Sequence, residues 1–287
     1  MRCRGVRGGM GDDVLLVERV PVNEDDPDVG VVVVATINRP DKLNALNQAV
    51  MGAIKAFCAD VEQDPSVRCI VFTGASPGPA PEGKRQKPNA FVAGADISEF
   101  QGLGSNEVRP IFEDNGWEAI WRLSLPTIAM VDGFALGGGC EVAVSCDLRV
   151  ASDRSRFGTP EINLGLIPGG GGTQRLARLI GHGRTMEMVY TGEMIDAHEA
   201  YRIGLVNHVT APEALRDRTM ELARSIGSKS SHTLRVAKAT VRAALETSLS
   251  EGVRVEADAF ANLFDTEDKE IGVNAFLSRE PAVWKHR

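Results

Sequence analysis

No run of residues comes near the roughly 18 consecutive apolar positions that a bilayer-spanning helix requires. The start, MRCRGVRGGMGDD, carries arginines without the apolar stretch of a secretory signal behind them. A cytoplasmic location is therefore expected. Residues 1–13 are expected to be a disordered lead-in, with translation from Met10 as an alternative. Positive charge is also short: the formal net charge is −7. A broad nucleic-acid-binding face is not expected, and any anionic ligand must be held by a few local groups. The five cysteines (Cys3, Cys58, Cys69, Cys140, Cys146) include no CxxC pair and are odd in number, which speaks for reduced, mostly buried thiols rather than a disulfide framework or zinc site. The five histidines (His182, His198, His208, His232, His286) all lie in the last third without metal-ligand spacing such as HExxH, so no metal is expected.

What is present suits a folded chain. With 287 residues, 43% hydrophobic and 25% charged, it can bury a sizeable core as one large domain with a helical appendage or as two modest ones. The first half alternates. VLLVERV (14–20) and VGVVVVATI (29–37) read as strands, the second so rich in β-branched residues that both its faces must be buried. In 47–64 the apolar positions Val50, Ile54, Phe57 and Val61 have helical spacing, and VRCIVFTG (67–74) and PTIAMVDG (126–133) are again strands. From residue 173 the pattern turns helical, with segments near 173–181, 184–191, 196–202, 213–226, 230–247, 250–264 and 267–278. A boundary is expected near residue 200, with 14–200 as the core and 201–287 as the helical region. Strand–strand–helix units are expected to recur within the core, though no low-complexity linker or fixed-period repeat is visible.

Three glycine-bearing segments carry the chemistry. In GFALGGGCE (133–141), successive glycines between a strand and a helix let the backbone approach a ligand and leave free N–H groups at the helix start; a tight turn with Glu141 favoured by the helix dipole is the alternative. FVAGADI (91–97) offers a second turn whose Ala95 amide can converge on the same oxygen, or else a plain junction capped by Asp96. FGTPEINLGLIPGGGGTQRL (157–176) sets Glu161 beside a tetraglycine run, which suits acid–base work or, for a lone Pro-Glu pair, an ordinary solvated surface. GPAPEGKR (78–85) matches the GxxxxGK spacing of a phosphate loop, but Arg85 stands where Ser or Thr must hold magnesium and Pro79 and Pro81 remove cradle amides, so it reads as a solvated loop.

Taken in order, NRPDKLNAL (38–46), FVAGADI, GFALGGGCE, FGTPEINLGLIPGGGGTQRL and the ending FLSREPAVWKHR resemble the enoyl-CoA hydratase/isomerase (crotonase) family over nearly the whole chain from about residue 14. The resemblance implies an α/β crotonase-like spiral of strand–strand–helix units. Its helical C-terminal region would build trimers, or dimers of trimers. It also implies acyl-CoA thioester substrates and no cofactor beyond the coenzyme A of the substrate. By motif position, Ala95 and Gly138 would be oxyanion-hole amides, Glu141 the base and Glu161 the acid of a hydratase, with Gly169 backing the water. Ala93, Asp96, Ile97 and Lys42 would line the coenzyme A path. Isomerases and several other branches generally lack one glutamate, so the pair favours hydration over isomerisation, decarboxylation or hydrolysis. Some relatives bind RNA, which the acidic balance opposes. The stretch 75–90 is longer and richer in proline than the family's usual turn, and Lys84, Arg85 and Lys87 could reach the coenzyme's phosphates or simply solubilise the loop.

Overall fold

The uninterrupted apolar run at the second strand has a direct structural cause. In the computed structural model, which describes residues 4–6, 13–80 and 82–287, Val33, Ala35 and Ile37 face one hydrophobic core while Val32 and Val34 face another. A strand with both faces buried has no polar side to show in its sequence. The strands are β1 (Arg4–Val6), β2 (Leu15–Pro21), β3 (Val31–Ile37), β4 (Val67–Gly74), β5 (Ala90–Val92), β6 (Thr127–Val131), β7 (Phe134–Leu136), β8 (Leu148–Ser152), β9 (Arg156–Gly158), β10 (Ile195–Asp196) and β11 (His208–Thr210). They form a larger sheet in the order β1-β2-β3-β4-β6-β8-β11 and a smaller one in the order β10-β9-β7-β5. From β3 to β11 the larger sheet is parallel. Each pair β4/β5, β6/β7 and β8/β9 gives one strand to each sheet, which is the expected strand–strand recurrence of the spiral. The expected disordered lead-in includes Arg4–Val6, which pair with the open edge of β2; the rest of it up to residue 12 lies outside the described residues, as does Cys3.

The helices are α1 (Gln48–Glu62), α2 (Ser105–Glu113), α3 (Gly116–Arg122), α4 (Gly138–Ser145), α5 (Gly172–Ile180), α6 (His182–Thr191), α7 (Ala197–Arg202), α8 (Leu215–Gly227), α9 (Ser231–Ala243), α10 (Leu249–Asn262) and α11 (Glu267–Ser278). Helix α1 starts where Asn47 accepts the Val50 amide, and its Val50, Ile54, Phe57 and Val61 are buried at the spacing of one helical face. These join α3, α4 and both sheets in the main core. The second core lies under α8, through Leu215, Met220 and Ala223.

The expected boundary near residue 200 is crossed twice, because β11 completes the larger sheet and α8 covers its outer face. Helix α9 is then tied to the core by charge. Arg235 pairs with Glu62 (2.7 Å), and Lys238 and Arg242 both pair with Asp147 (2.7 Å each). Beyond it, α10 and α11 bury no hydrophobic side chain, and Phe276 is 84% exposed. No helix among the described residues is long and apolar enough to cross a membrane. Cys58, Cys69, Cys140 and Cys146 are buried free thiols.

Candidate active site

Helix α4 begins where the chain leaves the smaller sheet and immediately presses on β5. A methyl group on Gly139 would sit 2.0 Å from the Val92 carbonyl oxygen, so only glycine allows this approach. The approach brings Gly138 beside Ala95: a methyl on Gly138 would come 3.7 Å from the Ala95 nitrogen. Ala95 is held by its neighbours, since the Leu46 amide donates to Gly94 O (2.9 Å) and the Asp96 amide to Leu46 O (2.7 Å). The Ala95 N–H lies between these two bonds and has no acceptor among the described residues. The Gly138 N–H, first in its helix, has none either, whereas the preceding Gly137 amide is spent on Gly158 O (2.9 Å). Trp117 Nε1 donates to the Gly138 carbonyl (2.8 Å) and fixes the next peptide.

Glu141 lies one turn along α4 and is only 2% exposed. Its Oε1 accepts from the amides of Gly170 (2.7 Å) and Gly172 (2.8 Å), while Oε2 has no donor among the described residues. Between them Gly171 takes φ +97°, a conformation that L side chains rarely adopt. Burial pushes the Glu141 carboxyl from its ordinary 4.5 to about 7; the two amides oppose this, and the charge of Glu161 adds to it. Glu161 stands in the turn Pro160–Leu164 after the fully buried Thr159. A methyl on Gly137 would come 2.9 Å from Glu161 Oε1, and Glu161 Oε2 is buried without a hydrogen-bond partner among the described residues. Burial raises this carboxyl as well. The charge of Glu161 works against ionising Glu141, because a like charge nearby disfavours the charged form. The two amides on Glu141 Oε1 favour its ionised form and so work against burial.

The other expected residues are spread along the same edge. The Ala93 amide donates to Leu43 O (3.0 Å). Asp96 accepts from Ser98 (2.7 Å) and pairs with Arg39 (2.9 Å), which together hold its carboxyl below the usual carboxylate range. Ile97 and Lys42 are exposed. Lys87, from the long stretch 75–90, pairs with Asp41 (2.9 Å), which brings that segment against the turn bearing Lys42. Gly169 is exposed and faces Phe112; the amides that meet Glu141 are those of Gly170 and Gly172. The sequence singled out the tetraglycine run but not these two members, and Trp117 carried no signal because its part rests on a contact with Gly138, 21 positions away. A cavity of about 800 Å³ lies behind the Gly170–Gly172 turn, between α5, α8 and α9, and neither glutamate lines it.

A spiral of paired strands that sets two buried carboxylates near two unengaged amides defines a class of protein in which carboxyl groups and free backbone donors can meet one ligand. The model for the family described as enoyl-CoA hydratase/isomerase matches residues 28–287. The chain belongs to that family. It is 41% identical over 248 residues to a crotonyl-CoA hydratase of Syntrophomonas wolfei, covering 86% of this chain and 91% of the other. It is 39% identical over 252 residues to a short-chain-enoyl-CoA hydratase of Clostridium acetobutylicum, covering 87% and 92%. Among solved structures it resembles enoyl-CoA hydratase subunit I of Geobacillus kaustophilus, with a TM-score of 0.85 and 36% identity over 96% of this chain and 98% of the other. Enoyl-CoA hydratase of Bacillus anthracis gives a TM-score of 0.82 and 32% identity, over 89% and 96%.

Proposed function

We propose that the protein is a hydro-lyase that adds water across 2-enoyl-CoA thioesters to give 3-hydroxyacyl-CoA. One observation carries the reading: Glu141 and Glu161, both pushed toward the protonated form, flank the Gly137–Gly138 turn, where the unengaged Gly138 amide meets that of Ala95. The amides bind the thioester oxygen and draw electrons from the β-carbon. Water attacks that carbon while ionised Glu141 accepts its proton through Oε2, and the double-bond electrons move onto the thioester as an enolate. Protonated Glu161 then gives its proton to the α-carbon. The pair resets when the proton on Glu141 returns to Glu161. No cofactor beyond the coenzyme A of the substrate is needed. Coenzyme A lies along the turn holding Lys42 and the backbone of Ala93, Asp96 and Ile97. The exposed apolar side chains of α10 and α11, Phe276 among them, support packing against further copies as a trimer or dimer of trimers.

The test follows loss of the conjugated-thioester absorbance of crotonyl-CoA. Glu141→Gln and Glu161→Gln should each lose about 10²–10⁴-fold in kcat. Absence of turnover by the native protein, or survival of both variants, overturns the reading.

A further inference from the structure

Helix α3 touches both halves of the site through adjacent residues. Trp117 anchors the Gly138 carbonyl, and Glu118, the next residue, accepts from Arg175 Nη2 (2.8 Å). Arg175 Nη1 in turn donates to the Gly170 carbonyl (2.7 Å). The arginine side chain is only 12% exposed, and its guanidinium stacks 4.7 Å from the centre of the Trp121 ring. Three successive peptide units are therefore held in alternation: the two outer ones point their N–H groups at Glu141 Oε1, and the middle one turns its oxygen to Arg175. A run of four glycines has no side-chain sterics to hold that alternation by itself.

We propose that Arg175, oriented by Glu118, is a positioning residue for Glu141: it anchors the Gly170 carbonyl so that the flanking amides stay on Oε1 and Oε2 is left to the reacting water. The assignment rests on reading Glu141 as the general base. Arg175 does not touch substrate; it acts through the turn. Its two donors reach two acceptors at once, which a lysine ammonium on a flexible stem cannot reproduce with the same geometry.

The experiment compares Arg175→Met, Arg175→Lys and Glu118→Gln with Arg178→Met, an exposed arginine of the same helix, as control. Two readouts are taken: kcat and KM with crotonyl-CoA, and an infrared titration of the protonated-carboxyl band that vanishes in Glu141→Gln. Arg175→Met should lower kcat about 10²-fold, the scale of a small misplacement of a reacting group, with KM little changed and the carboxyl titrating above the native value. Arg175→Lys and Glu118→Gln should fall between, and Arg178→Met should match the native protein. The proposal is overturned if Arg175→Met keeps native kcat and titration, or if its rate falls only with its folded fraction while the titration stays put. Should Arg175→Met not fold, native behaviour of Arg175→Lys and Glu118→Gln in both readouts overturns it equally. Failure of the native protein to hydrate crotonyl-CoA would sink the hydratase reading instead, and the infrared titration would still report the hold of Arg175 on Glu141.

Discussion

Replacing Glu141 by Gln should lower kcat about 10²–10⁴-fold and stabilise the fold, with a gain that depends on pH in a way the site dictates. The Glu141 carboxyl moves from 4.5 to about 7 on folding, chiefly because burial penalises the charged form. A raised value means that the native state prefers the protonated carboxyl. The associated stability is complete below pH 4.5 and is lost as pH rises through about 7. A difference of about 2.5 decades in acidity corresponds to roughly 3 kcal/mol at neutral pH and above. Gln is uncharged at every pH, and its Oε1 can still accept from Gly170 and Gly172, so it escapes that loss without stranding the two amides. At roughly 2 °C per kcal/mol for a chain of this size, its Tm should exceed the native one by about 6 °C at pH 8. The two proteins should melt together at pH 4. Thermal melts across that range, paired with crotonyl-CoA assays, check the prediction. Equal Tm values at pH 8, or the same offset at pH 4 and pH 8, would refute the claim that a buried ionised carboxylate is being held against its solvation.

Two further outcomes follow from contacts. Gly138→Ala would bring a methyl 3.0 Å from Trp117 Cζ2 and 3.2 Å from Leu46 Cδ1; the resulting shift of the Gly138 amide should cost about 10²–10³-fold in kcat, measured on a variant whose circular dichroism is native. Asp268, buried in α11, accepts from Ser230 Oγ (2.5 Å) and from the amides of Lys285 (2.6 Å) and His286 (3.1 Å), clasping the C-terminal tail to α9. Asp268→Ala strands three donors, so a loss of about 3 kcal/mol is expected in chemical denaturation, with kcat of the folded protein unchanged.

Much of the architecture was legible because periodicity and β-branching respond to local burial. The run 29–37 announced a strand buried on both faces, the spacing of Val50, Ile54, Phe57 and Val61 announced α1, and the helical segments after 173 appear within a few residues of their expected bounds. The short strands β5, β7 and β9 were not distinguishable, since three residues show no period and their strand state comes from pairing with one another. Nor was the role of β11 and α8 in completing the larger sheet and its core, which depends on contacts with β8 and its neighbours some 60 residues away.

The candidate site divides along the same line. The order of motifs determined which residue types are available: glycines that permit close backbone approach, an alanine in a turn, and two glutamates beside flexible chain. Only the tertiary structure decided their relations. It presses Gly139 onto β5 so that Gly138 meets Ala95, and it gives Glu141 the amides of Gly170 and Gly172 rather than that of Gly169. It also joins Trp117, Glu118 and Arg175 into a brace, in which Trp117 reaches Gly138 across 21 positions and Glu118 reaches Arg175 across 57. A carboxyl's acidity depends on how much water and which dipoles surround it. Those are properties of packed neighbours from distant parts of the chain, so sequence could name Glu141 but not the field that raises its pKa.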